Sequence, residues 1–387
     1  MRILHVSHES LPDWRIEKSA ITLAKLGNEV FFAGRGSNSY TRNIFSKIYK
    51  ITWDAKARFG LPFYWRSVKK QLEGVLKETR PDLVHAHNIF SAKMVSEFGI
   101  PFVYDDHEFW SRLSMLLREM VLNKGSIKDE SYKSASLRNA GNQLIRIRRI
   151  VINNYAIKLW TNWEREIVSA HPTITVSDQI AEQLRTNYRA KNVFVVPNFP
   201  MYSEVKDFEN PHFIDRLSSV YAGGDGHNID KYPNRNIDDL DNAFLERDIG
   251  SLTIIGWSDK STSNKVRYTG FLSRQDMFRE MFNHSIGLIP FKRHWSHVYI
   301  SPNKAYEYAH AGLVVLISSG FEPVKQILKE HCISFDDYED MAKKLTYFKE
   351  NLNDLYDRRL KIFDYSRENL IWEKNETFIT EAYKRCT

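Results

Sequence analysis

Short apolar runs alternate with amphipathic stretches from the first residues of the chain. Ile3 to Val6 reads as a buried strand. Ile16, Ala20, Leu23 and Ala24 then recur at helical spacing, and Gly27-Asn28 closes that helix. Val30 to Ala33 is the next strand, followed by Leu83 to His85, Phe102 to Tyr104, Thr173 to Val176 and Val193 to Val196. Strands separated by helices predict a parallel, doubly wound α/β sheet. Ligands bind such sheets beyond the carboxyl ends of the strands, so His8, His87, Asp105, Asp106 and His107 are expected at one mouth. Pro197 to Pro200 and the polar stretch to about Asp215 read as a linker. A second α/β series follows, with strands at Val220 to Ala222, Leu252 to Ile255, Val266 to Tyr268, Ile286 to Ile289 and Val314 to Ile317.

The densest chemistry lies in SPNKAYEYAHAGLVVL, Ser301 to Leu316. Ser301 suits a helix cap and Pro302 the first helical position. Asn303, Glu307 and His310 then share one helical face. Gly312 suits the stop, before a buried strand. A carboxylate on a helix beside a glycine turn can accept paired hydrogen bonds from vicinal hydroxyls, as on a ribose. The alternative is a surface helix with a solvated glutamate.

Composition narrows the class. The chain has 387 residues, 42% hydrophobic and 27% charged, enough for two soluble domains with buried cores. No apolar run reaches the length of a membrane span, and the first residues read as a strand rather than a signal peptide. Cys332 and Cys386 form neither a disulfide framework nor a metal-ligand spacing, so a reducing, cytoplasmic setting is expected. The net charge of +7 points to anionic partners. Most of it sits in residues 133–165, where Lys133, Arg138, Arg146, Arg148, Arg149, Lys158 and Arg165 face one acid, Glu164. Apolar and aromatic residues interleave with these cations. Such a helix suits the surface of an anionic membrane, or packs on its domain with a solvated basic face. No nucleic-acid motif accompanies the charge.

The SPNK-x2-EY segment resembles the donor-site helix of GT-B glycosyltransferases, in particular the retaining enzymes of glycosyltransferase family 4. The opening MRILHVSHES and its following helix and strand are similar to the start of that family. RPDLVHAHN, PFVYDDHEFW, TITVSDQIAEQL, VFVVPNFP and WEKNETFITEAY follow in the family's order. There are two departures. Tyr299 stands where most members carry a first glutamate eight positions before Glu307, and PDWRIEK replaces a glycine pair in the first loop.

The resemblance implies two Rossmann-like domains facing across a cleft. Residues 1–198 would form the acceptor-side domain, 199–214 a linker and 215–369 the donor domain, with 370–387 packing back on the first. It implies a transferase of the hexosyltransferase type, and because the sequence shows no metal-binding cluster of carboxylates the reaction is expected to need neither metal nor cofactor. The enzyme would move sugar with retention from a UDP- or GDP-type donor to a glycan or lipid-linked acceptor. The basic stretch 133–165, read from its own residues, adds the option of peripheral contact with the inner face of a membrane. His107, with Asp106 beside it, would face the transferred sugar. Glu307, Asn303, Lys304, Gly223, Gly224, Lys231 and Arg235 would hold the donor, and Gly256 and Gly270 would line the base pocket. Asp13, Arg15 and His87 would serve the acceptor or phosphate loop. The residues alone leave alternatives: Asp13 and Asp106 as helix caps, and the glycines as ordinary strand ends. An epimerase on the same fold, needing paired carboxylates, and a non-catalytic GT-B partner subunit are the rival functions.

Overall fold

The computed structural model describes residues 1–39, 41–123, 136–223, 233–257 and 262–386. They form two compact units, residues 1–198 with 375–387, and residues 199–374.

The first unit is built on seven strands: β1 Arg2–Ser7, β2 Glu29–Gly34, β3 Lys47–Lys50, β4 Leu83–His87, β5 Phe102–Asp106, β6 Thr173–Thr175 and β7 Val193–Val195. They run in the order β3-β2-β1-β4-β5-β6-β7, all parallel. The order reverses between β1 and β4, the point at which doubly wound sheets bind ligands. Buried apolar residues crowd the inner strands because helices cover both faces of a parallel sheet. The sequence reading missed β3. Its KIYK run is half exposed at the sheet edge and lacks a two-sided apolar pattern.

The second unit repeats the plan with β8 Ser218–Ala222, β9 Ser251–Ile255, β10 Val266–Gly270, β11 Ile286–Ile289, β12 Val314–Ser318 and β13 Cys332–Phe335. The order is β10-β9-β8-β11-β12-β13, again parallel. One edge strand of this sheet, β13, was also missed: its first three residues are only partly covered. Two such units are the GT-B plan of paired Rossmann-like domains.

Residues 199–214, read as a linker, lie inside the second unit. Phe199, Met201 and Val205 are buried, and Phe199 packs edge-on against Tyr306 at 4.8 Å. Apolar side chains spaced among polar ones anchor this stretch, which composition alone hides. At the other end, Trp372 is fully buried and its amide donates to the Pro200 carbonyl at 2.9 Å. The last helix, Glu376–Lys384, belongs to the first unit, where the Thr22 hydroxyl donates to Glu376 at 2.9 Å. Residues Ser136–Ala170 form one helix of 35 residues. Among the described residues, no helix is long and apolar enough to cross a membrane.

Candidate active site

In the first unit the site grows from strand register. His5 on β1 lies opposite His85 on β4, and His87 lies opposite Asp105 on β5. Side chains alternate faces along a strand, so Asp105 shares a face with His85 and His87, while Asp106 turns to the other side. The three imidazoles stack, His85 on His87 at 4.3 Å and His5 on each at 5.0 and 5.2 Å. His5 Nδ1 and His87 Nε2 are 2.9 Å apart, and His87 Nδ1 and His107 Nε2 are 3.0 Å apart. His85 Nδ1 meets the Tyr383 hydroxyl at 2.7 Å.

Asp105 is the hub. Arg15 donates from Nε at 2.9 Å and from Nη2 at 2.7 Å to its Oδ1. Oδ2 lies 3.3 Å from His85, 3.4 Å from His87 and 3.4 Å from His107. Burial works against a charge on Asp105, but Arg15, with His107 and His85, outweighs it and holds the carboxyl well below its ordinary range. His107 is raised. Burial opposes its charge, and the facing Asp105, then Asp13, overcomes that. His5 and His87 are held well below the ordinary value and His85 below it, in each case first by burial.

Several sequence expectations change here. Asp106 does not join His107. Its Oδ1 accepts from the Tyr104 hydroxyl at 2.8 Å, and burial followed by Glu164 pushes its carboxyl well up. The Arg15 guanidinium, expected at a phosphate loop, bonds inside the protein to both oxygens of Asp105 and to the Val196 carbonyl. Asp13 caps its helix, with Oδ1 accepting from the amides of Arg15 and Ile16 at 2.9 and 3.0 Å. His87 is fully buried behind His107. His87, Asp105 and His107, and likewise His5, His85 and His87, have donor spacings that a metal ion accepts. In the first set Arg15 already supplies the cation on Asp105, so it is complete as a hydrogen-bonded cluster.

In the second unit, the helix Asn303–His310 begins one residue later than the sequence implied. Pro302 takes the cap position with extended backbone, and the Ser301 hydroxyl bonds to Tyr306 instead of capping. The expected common face of Asn303, Glu307 and His310 divides. Asn303 is exposed, and Glu307 is partly buried. His310 is buried against the Leu370 carbonyl at 2.8 Å and Ser366. Glu307 Oε1 accepts from Arg274 Nη1 at 2.7 Å, and Arg274 Nε donates to Glu204 Oε1 at 2.7 Å. Glu204 Oε2 in turn accepts from the Met201 amide at 2.8 Å. This chain of bonds fixes the Glu307 carboxylate. No sequence signal marked Arg274 or Glu204, whose bonds to their partners span 33 and 70 positions.

Lys304 stands one helical turn before Glu307. Its ammonium lies 4.2 Å from the centre of the Tyr221 ring and 5.3 Å from that of Phe291. Burial, then the charge of Arg235, lowers its pKa to about 7, although Glu307 acts in the other direction. Gly223 follows β8, and a Cβ there would lie 2.9 Å from the Lys304 Nζ and 2.5 Å from the Tyr221 hydroxyl. Glycine leaves the ammonium in place, where a larger residue would displace it or the Tyr221 hydroxyl. Arg235 sits exposed in the turn Pro233–Arg235. Gly224 and Lys231 lie outside the described residues. Gly256 and Gly270 both have positive φ, and the Gly256 amide donates to the Gly270 carbonyl at 2.8 Å.

Residues 16–199 match the model of Glycosyltransferase Family 4. No curated protein matches the chain by sequence. The chain is similar in structure to sucrose-phosphate synthase from Thermosynechococcus elongatus, with TM-score 0.68 and 12% identity over 99% of this chain and 98% of that one. It is similar to HepE of Anabaena, solved in complex with UDP-glucose, with TM-score 0.68 and 10% identity over 99% of each chain. WaaG, a glycosyltransferase involved in lipopolysaccharide biosynthesis, gives TM-score 0.63 and 14% identity over 98% of this chain and 99% of that one. At these identities the structural likenesses establish the fold. The fold is that of the GT-B glycosyltransferases, and the match of residues 16–199 to Glycosyltransferase Family 4 is consistent with an enzyme of that kind.

Proposed function

We propose that this glycosyltransferase takes a hexose from a UDP- or GDP-type donor and passes it, with retention, to a hydroxyl of a glycan or lipid-linked acceptor. One observation carries the donor assignment. The Lys304 ammonium is held over two aromatic rings beneath Gly223, with no carboxylate in ion-pair contact among the described residues, one turn from a carboxylate fixed by Arg274. A diphosphate supplies the missing anion, and a ribose diol supplies hydroxyls for Glu307. Arg235 adds charge on the exposed side. HepE, a structural neighbour, was solved with UDP-glucose and with UDP, which favours the same class of ligand here.

The reaction breaks the bond between the anomeric carbon and the diphosphate oxygen and forms one to the acceptor oxygen. The acceptor proton passes to the departing phosphate. Negative charge grows on the leaving diphosphate, so fixed positive groups lower the barrier. Lys304 meets that need when protonated. This chemistry needs neither metal nor cofactor from the protein. The epimerase alternative requires an acid–base carboxylate pair open to substrate. The carboxylates of Asp106 and Glu164 are both interior, and Glu164 accepts from the Trp110 amide at 2.9 Å at a helix start.

For the acceptor side, the helix 136–170 exposes Ile147, Val151 and Tyr155 at 57%, 61% and 51%, beside the exposed Arg148 and Arg149. An apolar stripe flanked by arginines fits the headgroup region of an anionic membrane, and we assign that contact as peripheral. The test of function is turnover. Purified protein given a panel of UDP- and GDP-sugars with a lipid-phosphate or glycan acceptor is expected to release nucleoside diphosphate in proportion to glycosylated product. Release without product, or no release from any donor, contradicts the reading.

A further inference from the structure

We propose that His8, Arg35, Trp53 and Arg58 form an anion subsite that binds a phosphoryl group of the acceptor. The assignment to the acceptor rests on the transferase reading above. His8 directly follows β1 at the mouth of the first sheet, and its ring is fully buried. Phe90, Trp110 and Trp53 wall it edge-on at 4.8, 5.8 and 6.2 Å. Neither ring nitrogen has a hydrogen-bond partner, and the nearest carboxylate oxygen, on exposed Glu9, is 3.6 Å away. Trp53 Nε1 and Arg58 Nε are buried without partners as well. Buried polar atoms are almost always paired, so unmet groups gathered in one aromatic box mark a place that a polar ligand completes.

The charges agree. Arg35 donates from Nη2 to the Trp53 carbonyl at 3.1 Å, and the Arg58 guanidinium lies 5.5 Å from the centre of the Phe90 ring that also walls His8. Both guanidiniums are therefore tied to the same box. Neither has a carboxylate within ion-pair distance among the described residues. Burial, then the charge of Arg35, lowers the Arg58 pKa, and burial followed by both arginines lowers that of His8. Two guanidiniums and an imidazole held together with exposed Glu9 as the one carboxylate shown near them are a site short of an anion. Guanidinium forks match phosphate oxygens, and the indole and Arg58 Nε–H groups add further donors. The segment carrying Arg58 is braced, since Trp160 Nε1 donates to the Arg58 carbonyl at 2.8 Å and the Tyr155 hydroxyl to that of Phe59 at 3.3 Å. Both donors belong to the helix 136–170, so the subsite adjoins that helix's apolar stripe. A phosphate carried on an amphiphile suits that setting.

Calorimetry on the intact protein tests this with octyl phosphate, its uncharged counterpart octyl glucoside, and inorganic phosphate. Octyl phosphate is expected to bind at least tenfold tighter than octyl glucoside. Arg35→Gln and Arg58→Gln are each expected to weaken it fivefold or more, and Arg35→Lys to weaken it less. Inorganic phosphate is expected to bind more weakly than octyl phosphate and to be lost in the same variants. Equal binding of the two phosphates would support the anion site while assigning it to a soluble phosphate ester. Arg35 is exposed, so its variants remain informative if Arg58→Gln fails to fold. UDP affinity is read in parallel: loss of UDP binding from the parent protein counts against the donor reading alone. The subsite is overturned if octyl phosphate binds no tighter than octyl glucoside, or if Arg35→Gln binds it as the parent does.

Discussion

Asp105 is in contact with Arg15 and with His85, His87 and His107. Its neighbour Asp106 is in contact with Tyr104 on the opposite face of the sheet. The residue before or after in sequence thus has a different fate, and strand alternation alone distinguishes them. Residues 103 and 105 share one face of β5 and 102, 104 and 106 the other, an alternation that the expectation of Asp106 beside His107 overlooked. The hydrogen bonds of Arg15 were not legible, because Val196 lies 181 positions away. Breaking a buried pair of the Arg15–Asp105 kind costs about 3–5 kcal/mol, since it leaves one charge uncompensated. The sign of the His107 effect follows from its partner. Asp105 raises the His107 pKa, so their mutual stabilisation is present at low pH and fades as pH rises through that raised value. In Asp105→Asn the burial penalty remains and the attraction goes. The His107 pKa, followed by nitrogen chemical shifts, is then expected to fall below its value in the parent protein, and activity to decline at a lower pH. An unchanged His107 titration would contradict the hub.

At the level of elements, inner strands were legible because both faces are covered, while the edge strands β3 and β13 were not. The helix Asn303–His310 was legible by periodicity and by Gly312, whose positive φ ends it, but its first turn was misjudged. The sequence placed a serine cap where a serine–tyrosine bond stands. The helix 136–170 extends about 50 Å at the usual rise per residue, and its cations were read from composition. Its partners were not: Trp160 and Trp163 turn inward, while Ile147, Val151 and Tyr155 turn out. Each basic residue near an anionic surface contributes about 1 kcal/mol. Replacing Arg148 and Arg149 with glutamine is therefore expected to weaken binding to phosphatidylserine vesicles by about thirtyfold, with uncharged vesicles little affected. Vesicle binding unaltered by the double substitution would remove the membrane from this account.

Across the whole molecule, two α/β series with similar rhythm were legible as two Rossmann-like units, because parallel strands and their covering helices repeat on a visible scale. The boundary near residue 198 was marked by Pro197-Asn198, but the stretch beyond it packs through three spaced apolar residues and is no free tether. Chemistry assembled from distant positions stayed hidden, as in the Met201–Glu204–Arg274–Glu307 chain and the His8 box. The central claim is that Glu307, so fixed, and Lys304 grip a nucleoside diphosphate. Calorimetric titration of UDP and GDP into the parent protein and Glu307→Ala tests it most directly. The account predicts that one nucleotide binds the parent and that Glu307→Ala weakens it at least tenfold, the loss of a charge-assisted hydrogen bond or more. Equal affinity in the two proteins, or binding of neither nucleotide to the parent, would contradict it.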